Sequence, residues 1–307
     1  MSEMQIKEIA IDDETALEVL QYGSGKPSTL LISGVHGNEK TGPALLRELS
    51  NQLALAEILG GVSLLPIASP KTYDASQRDH PDDGHDLNRC FLNEAVPENS
   101  PSGKLVTAIQ RLVGQHEVVI DIHGFPHQLT PIVGVFLREG RMTLQHRSRE
   151  FLQAFNPDVI CELGDQGEEA KKAGSVCSYA LQIRKIPAFG FELADPEYYS
   201  EMQRDRIISG LLRVLGKAGC IKMLVPEVSR DIPRYEDRKV RRAPSAGNFI
   251  PRKRLFDPVN KGDVIGELNG DPKECLAEQD GIVLTIAPEG QLRVKQKMFA
   301  TVVPISI

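Results

Sequence analysis

The feature that most constrains the fold is an alternation of apolar runs with helical patterns between about residues 28 and 220. Ser28–Ser33 is typical of a buried strand, and the leucines after Thr41 recur at steps of three and four residues, as on one face of a helix. Further strand patterns fall at 62–68, 117–122, 132–137, 159–163 and 187–193. Further helical patterns fall at about 105–113, 142–155, 175–184 and 196–217. Strands that alternate with helices predict an α/β sheet with helices on both faces.

The C-terminal part of the chain has a different composition. It begins with prolines and interleaved charges, and glycine then recurs among short β-type runs that have no helical period. We therefore expect an α/β domain over residues 1–225, a linker over 226–239 and a small all-β domain over 240–307. The stretch from Pro258 resembles a biotinyl/lipoyl-type barrel-sandwich, but it lacks the Met-Lys-Met turn, so we expect no attached cofactor there.

The bulk composition argues against several classes of function. The 307 residues carry a formal net charge of −6, so general attraction to nucleic acid or to an anionic membrane is not indicated. No apolar run approaches the roughly 18 residues that cross a bilayer, and residues 1–11 contain no signal-peptide core. The five cysteines are widely spaced without a C-x-x-C pair, which argues against a disulfide framework and a thiolate zinc site. We expect a cytoplasmic protein, and a homo-oligomer is compatible with the sequence.

Two histidines follow predicted buried strands. His36 and Glu39 lie in the loop after one strand, and His123 follows another within the motif Asp-Ile-His-Gly. In open α/β sheets ligands bind at the carboxyl ends of strands, and ends of nearby strands lie about 5–10 Å apart. Two imidazoles and a carboxylate form the ligand set of several catalytic zinc sites and leave one position for water. Taken singly these motifs are weak, and a loop histidine is more often hydrogen-bonded to backbone.

Two other polar motifs are candidates for a hydrolytic site. Glu192 lies in an apolar strand pattern, where a carboxylate must be paired, protonated or functional, and a buried glutamate suits a base that activates water. The alternative is a glutamate at the strand end that faces solvent. Asn88 and Arg89 lie in a long polar segment, 69–102, and offer donors suited to a carboxylate. The alternative is that they are ordinary exposed loop residues.

The motifs occur in a recognisable order along the chain. They are His-Gly-Asn-Glu from His36, Asp-Leu-Asn-Arg from Asp86, Asp-Ile-His-Gly from Asp121 and the strand glutamate Glu192. In this order they resemble the succinylglutamate desuccinylase/aspartoacylase family, a branch of the zinc carboxypeptidase-like amidohydrolases. The resemblance covers residues 28–200 through the motifs and fits the C-terminal region more loosely. It implies a zinc carboxypeptidase-like mixed sheet with helices on both faces, followed by a small barrel-sandwich-like all-β domain.

The resemblance also implies a catalytic centre. In the family, the residues that match His36, Glu39 and His123 bind one Zn²⁺, and the residue that matches Glu192 acts as general base and acid. The implied reaction is hydrolysis of the amide bond of a small N-acylated amino acid or amine. Zinc is the expected cofactor, and a small N-acylated molecule is the expected partner.

The resemblance extends to four residues around the metal ligands. The residues that match Asn88 and Arg89 bind a substrate carboxylate, and the one that matches Asp86 orients a zinc-ligating histidine. An upstream arginine stabilises the carbonyl oxygen, and Arg78 is the candidate, although its spacing to Asp86 is longer than is common in the family. The family's C-terminal tyrosine has no clear match.

Two other functions remain open at this point. One is a carboxypeptidase that acts on short peptides, which differs from a deacylase in its substrate. The other, of a different class, is a zinc-binding regulatory protein without catalytic activity. The presence of Glu192 and Arg89 argues against the second.

Overall fold

The computed structural model describes residues 3–164, 174–225 and 230–305. The strands in its first part are β1 Met4–Ala10, β2 Ala16–Tyr22, β3 Ser28–Ser33, β4 Gly61–Leu65, β5 Val118–Phe125, β6 Val133–Leu137, β7 Val159–Leu163 and β8 Ala188–Ala194. The later strands are β9 Arg234–Arg242, β10 Gly247–Pro251, β11 Pro258–Val259, β12 Gly266–Leu268, β13 Gly281–Ile286, β14 Gly290–Leu292 and β15 Lys297–Pro304. The helices are α1 Thr41–Leu53, α2 Pro70–Ala75, α3 Pro101–Val113, α4 Met142–Phe155, α5 Val176–Tyr179 and α6 Glu201–Lys217.

Most of these strands form one mixed sheet. Within the described residues its order is β1-β2-β4-β3-β5-β8-β6-β7-β9-β15-β13-β11. β4, β3, β5 and β8 are parallel, whereas β6 is antiparallel to β8 and parallel to β7. All six residues of β3 are buried, as expected for a strand covered on both faces.

Helices cover both faces of this sheet. On one face the apolar sides of α1, α4 and α6 pack on the strands through residues such as Leu49, Phe155 and Leu211. On the other face α3 and α5 pack through Ile109 and Val176. The predicted α/β fold with helices on both faces is therefore confirmed.

Two element boundaries differ from the sequence-based predictions. The helix expected over 196–217 is a 3₁₀ turn, Pro196–Tyr198, followed by α6, because Ser200 and Gln203 form a capping box that starts a new helix. Strand β5 runs through His123 to Phe125 instead of ending before the histidine. Its pairing with β8 continues in register to that point, so His123 lies directly beside Glu192.

The C-terminal strands continue the large sheet. β9 pairs in parallel with β7 and antiparallel with β15, so residues 234–239 of the expected linker form part of a strand in the large sheet. Residues 226–229 of that linker lie outside the described part of the chain. β12, β10 and β14 form a separate small sheet, which shares an apolar core with β11, β13 and β15. The division into a catalytic and a C-terminal β domain, and its barrel-sandwich form, stay predictions.

A buried carboxylate ties β9 to the catalytic part of the sheet. Glu162 on β7 is 1% exposed and accepts hydrogen bonds from Arg138 at 2.8 Å and from Arg234, the first residue of β9, at 2.6 Å. Arg149 adds an ion pair at 3.3 Å. A buried charge requires such partners, so this cluster fixes where β9 begins.

The helices offer no candidate for a transmembrane segment. Among residues 3–164, 174–225 and 230–305, none combines the length and hydropathy needed to cross a bilayer.

Candidate active site and metal centre

The candidate metal ligands come from two neighbouring strands. β3 and β5 are adjacent and parallel, so the loop that leaves β3 and the last residues of β5 meet at the same edge of the sheet. This loop carries His36 and Glu39, which are both buried, while His123 is partly buried on β5. The imidazole rings of the two histidines lie 5.0 Å apart between centroids.

The three side chains converge through specific atoms. Nδ1 of His36 lies 2.8 Å from Oε1 of Glu39, and Nδ1 of His123 lies 2.9 Å from Oε2 of the same carboxylate. One ligand atom from each of the three residues lies within 4.8 Å of the others. Two nitrogens and a carboxylate oxygen this close match the donor set and spacing of a divalent metal site.

The outward nitrogen of each imidazole contacts a carboxylate. Nε2 of His36 lies 2.9 Å from Oδ1 of Asp86, and Nε2 of His123 lies 2.9 Å from Oδ2 of Asp121. Metal-binding histidines are commonly held in this way, because the carboxylate fixes the ring and leaves the other nitrogen to face the metal. In this arrangement Nδ1 is the candidate metal-binding atom of both histidines.

The carboxylates and imidazoles shift one another's pKa values. Burial raises the pKa of Glu39, but the adjacent His36 and His123 outweigh it and hold that pKa well below its usual range. Burial lowers the pKa of His123, since it disfavours the charged imidazolium, but Asp121 and Glu39 together raise this pKa well above the ordinary value. The site therefore concentrates negative charge around the imidazoles, which favours a bound cation.

The glycine of the His-Gly-Asn-Glu motif is required by packing. A Cβ on Gly37 would overlap the carbonyl oxygen of Thr72, so the loop can approach α2 this closely only with glycine. Gly37 itself does not have a positive φ, whereas Gly34, at φ 63°, has the left-handed conformation.

Asn88 and Arg89 lie on a short 3₁₀ turn in the long polar segment. Asn88 is buried, with its Oδ1 accepting from the backbone N–H of Val176 at 3.2 Å and its Nδ2 3.1 Å from Nε2 of His123. Arg89 donates from Nη1 to the Asn88 carbonyl at 2.8 Å and lines the same cavity as the metal ligands. These contacts orient both side chains toward the site.

Arg78 reaches the metal centre from the same segment. Its Nε and Nη2 donate to Oδ2 of Asp86 at 3.1 and 2.8 Å, which is the carboxylate that contacts His36. Its Nη1 lies 3.8 Å from Oε1 of Glu39. The guanidinium therefore lies beside two of the candidate metal ligands, His36 and Glu39.

Glu192 is directed into the cavity by its place in β8. It is the register partner of His123, so the two side chains lie on the same face of adjacent strands. Its Oε1 accepts a hydrogen bond from Nη1 of Arg238 at 3.2 Å, and its side chain is 15% exposed. The solvent-facing alternative for Glu192 is therefore wrong.

One cavity joins these residues. It has a volume of about 930 Å³. The predicted site residues that line it are His36, Glu39, Arg78, Asn88, Arg89, His123 and Glu192. A smaller cavity of about 110 Å³ lies behind Arg89 and Glu192, against apolar side chains of β6, β7 and β8 such as Val135, Leu163 and Phe191. The structure thus brings together residues that are separated by up to 156 positions in sequence.

A match to a family profile establishes how this chain is related to known proteins. The profile of the succinylglutamate desuccinylase/aspartoacylase catalytic domain matches residues 25–216. The chain belongs to the succinylglutamate desuccinylase/aspartoacylase family. Members are amidohydrolases of the deacylase type, and the predicted family is confirmed. The comparison with curated proteins gave no match.

Several solved structures share the fold across nearly the whole chain. An aspartoacylase family protein from Mesorhizobium loti has a TM-score of 0.77 at 21% identity, covering 100% of this chain and 96% of its own. The product-bound ectoine utilization protein EutE (DoeB) from Ruegeria pomeroyi has a TM-score of 0.80 at 19% identity, covering 98% and 95%. The succinylglutamate desuccinylase/aspartoacylase from Rhodobacter sphaeroides has a TM-score of 0.77 at 21% identity, covering 99% and 96%. At these identities the likeness establishes the fold and not the substrate.

Two polar contacts of this family site were not anticipated from the sequence. The role of Asp121 had a local signal, since a residue two positions before a strand histidine lies on the same face of the strand. Arg238, the partner of Glu192, has no such signal, because the sequence predicts a linker at that position.

Proposed function

We propose that the chain is a zinc-dependent deacylase that hydrolyses the amide bond of a small N-acylated amino acid or related amine. The observation that carries the proposal is the approach of two imidazole Nδ1 atoms, of His36 and His123, to the two oxygens of Glu39. Glu192, the proposed base, and Arg89, the proposed carboxylate-binding residue, line the same cavity. Membership of a deacylase family supports the reaction class.

The side chains of this site fit a zinc ion. His36, Glu39 and His123 would hold it, with Asp86 and Asp121 fixing the two imidazoles. A bound Zn²⁺ supplies Lewis-acid polarisation of a carbonyl and makes water more acidic. Ligand chemistry favours zinc over Mg²⁺ or Ca²⁺, because two of the three donors are nitrogen.

The remaining residues divide the work of amide hydrolysis. Glu192 accepts the proton of the attacking water and returns it to the departing amine nitrogen. Arg78 donates hydrogen bonds to the carbonyl oxygen as negative charge develops there. Asn88 and Arg89 bind a carboxylate of the substrate, which aligns the scissile amide with Glu192.

Metal analysis combined with a substrate panel tests the proposal. Purified protein should contain about one zinc per chain and should release free amino acid from some members of a panel of N-acetyl and N-succinyl amino acids. Dipeptides are included because preferential cleavage of these would indicate a carboxypeptidase. Stoichiometric zinc without turnover of any amide would indicate a binding protein and would contradict the proposal.

A matched pair of histidine variants tests the ligand assignment. His123→Asn should lose zinc and activity together, because one of three ligands is replaced. His146→Asn, an exposed histidine on α4, should keep both. Equal zinc content in the two variants would contradict the assignment of His123.

A further inference from the structure

The C-terminal strands supply a cation to the active site. Arg238, on β9, donates from Nη1 to Oε1 of Glu192 at 3.2 Å. Among the described residues, Oε2 of Glu192 has no hydrogen-bond partner. One oxygen of this carboxylate is therefore held while the other is available to a water or an amine.

Contacts beyond Glu192 also hold the Arg238 side chain in place. Its guanidinium carbon lies 5.5 Å from the ring centroid of Phe125, which follows His123 by two residues on β5 and so shares its face of the strand. Only 21% of the Arg238 side chain is exposed. A largely buried guanidinium is stable only with an anion beside it, so Glu192 and Arg238 hold one another in place.

A second cation nearby does not take over this contact. Nζ of Lys297, on β15, lies 3.4 Å from the centroid of the same Phe125 ring. Burial lowers the pKa of Lys297 to about 7, although the negative charge of Glu192 opposes this shift. Among the described residues no hydrogen bond or ion pair joins Lys297 to Glu192, so it is Arg238 that holds the carboxylate.

From this geometry we propose that Arg238 is the positioning residue of the catalytic base: it fixes one oxygen of Glu192 so that the other faces the scissile amide. The inference rests on the proposed function, in which Glu192 transfers the proton. It also assigns a role to the C-terminal β region, because a residue outside the span that matches the family's catalytic domain completes the site.

Kinetics of the zinc-loaded protein on its best amide substrate test the role. Arg238→Met should lower kcat about 100-fold, within the range for loss of general-base catalysis, and should leave KM and zinc content nearly unchanged. Arg238→Lys should recover part of the loss, since it restores a charged donor. In a Glu192→Gln background, Arg238→Met should cost no more than about twofold, because the base it positions is already absent.

Thermal unfolding of the metal-free protein gives a readout that does not depend on turnover. Arg238→Met and Glu192→Gln should each lower the Tm, and the double variant should lose less than the sum of the two shifts. Lys239→Met is the control, since residue 239 is exposed and points to the opposite face of β9, and it should match the wild type in both assays.

The outcomes separate this inference from the proposed function. If Arg238→Met raises KM with kcat unchanged, or costs as much in the Glu192→Gln background as alone, Arg238 does not position the base and the inference is overturned. Additive Tm shifts would also overturn it. If the wild-type protein hydrolyses no amide of the panel, the proposed function fails, and the role of Arg238 fails with it.

Discussion

The carboxylate that contacts His123 allows a quantitative test of the metal centre. Oδ2 of Asp121 lies 2.9 Å from Nε2 of His123, and Asp121 is 2% exposed. In Asp121→Asn the shape is kept while the charge of the acceptor is removed. We expect weaker zinc binding, because the imidazole loses the anion that fixes its ring and raises its basicity.

The magnitude follows from the kind of hydrogen bond that is lost. A hydrogen bond to a charged group contributes roughly 1.5–3 kcal/mol, and one between neutral groups roughly 0.5–1.5 kcal/mol. The difference between the midpoints of these ranges, about 1.25 kcal/mol, corresponds to roughly an eightfold loss in zinc affinity. The full range for residues that support metal ligands is about 10- to 100-fold.

Competition with a chromophoric chelator measures this affinity. The exposed Asp205 on α6 provides the control, and Asp205→Asn should bind zinc as the wild type does. Oδ1 of Asp121 has no hydrogen-bond partner among the described residues, so the new amide group also lowers stability, which the Tm of the metal-free protein reports separately. Zinc affinity within twofold of the wild type would refute the assignment of Asp121.

Four further predictions follow from the site and its supports. Glu192→Gln should keep full zinc content while kcat falls about 10²- to 10⁴-fold, as measured by metal analysis and turnover. Arg89→Ala should weaken the binding of substrates that carry a carboxylate by roughly 1.5–3 kcal/mol, which is measured as a higher KM, and should affect the matching carboxamides much less. Gly37→Ala should weaken zinc binding, measured by chelator competition, because the added methyl group displaces the loop of two ligands from Thr72. Burial by itself raises the pKa of Glu162, but the hydrogen bonds from its arginines outweigh burial and hold this pKa below the ordinary value. Its ion pairs therefore stabilise the fold above the unfolded pKa of about 4.3 and are lost as the pH falls through the folded pKa, so the Tm deficit of Glu162→Gln should shrink in acid.

Much of the fold was predictable because its determinants are local. Ser28–Ser33, Met142–Phe155 and Val159–Leu163 have the predicted bounds, since apolar periodicity and length distinguish strands from helices over such runs. The convergence of His36, Glu39 and His123 was also expected, because parallel strands place their carboxyl ends at one edge of a sheet.

Other features could not be predicted from local patterns. The extent of β5 past His123 depends on its register with β8, and the 3₁₀ turn before α6 depends on which residues cap the helix. The segment expected as a linker becomes β9 because the carboxylate on β7 and the pairing with β15 order it.

The sequence by itself determined the α/β architecture, the family motifs and the residue types of the proposed metal site, because each is encoded within a short stretch. Only the tertiary structure decided which nitrogen of each imidazole faces Glu39, and that Arg238 contacts Glu192 across 46 positions of sequence. Such contacts depend on strand register and on the path of the chain between distant elements, and no local periodicity specifies either of these.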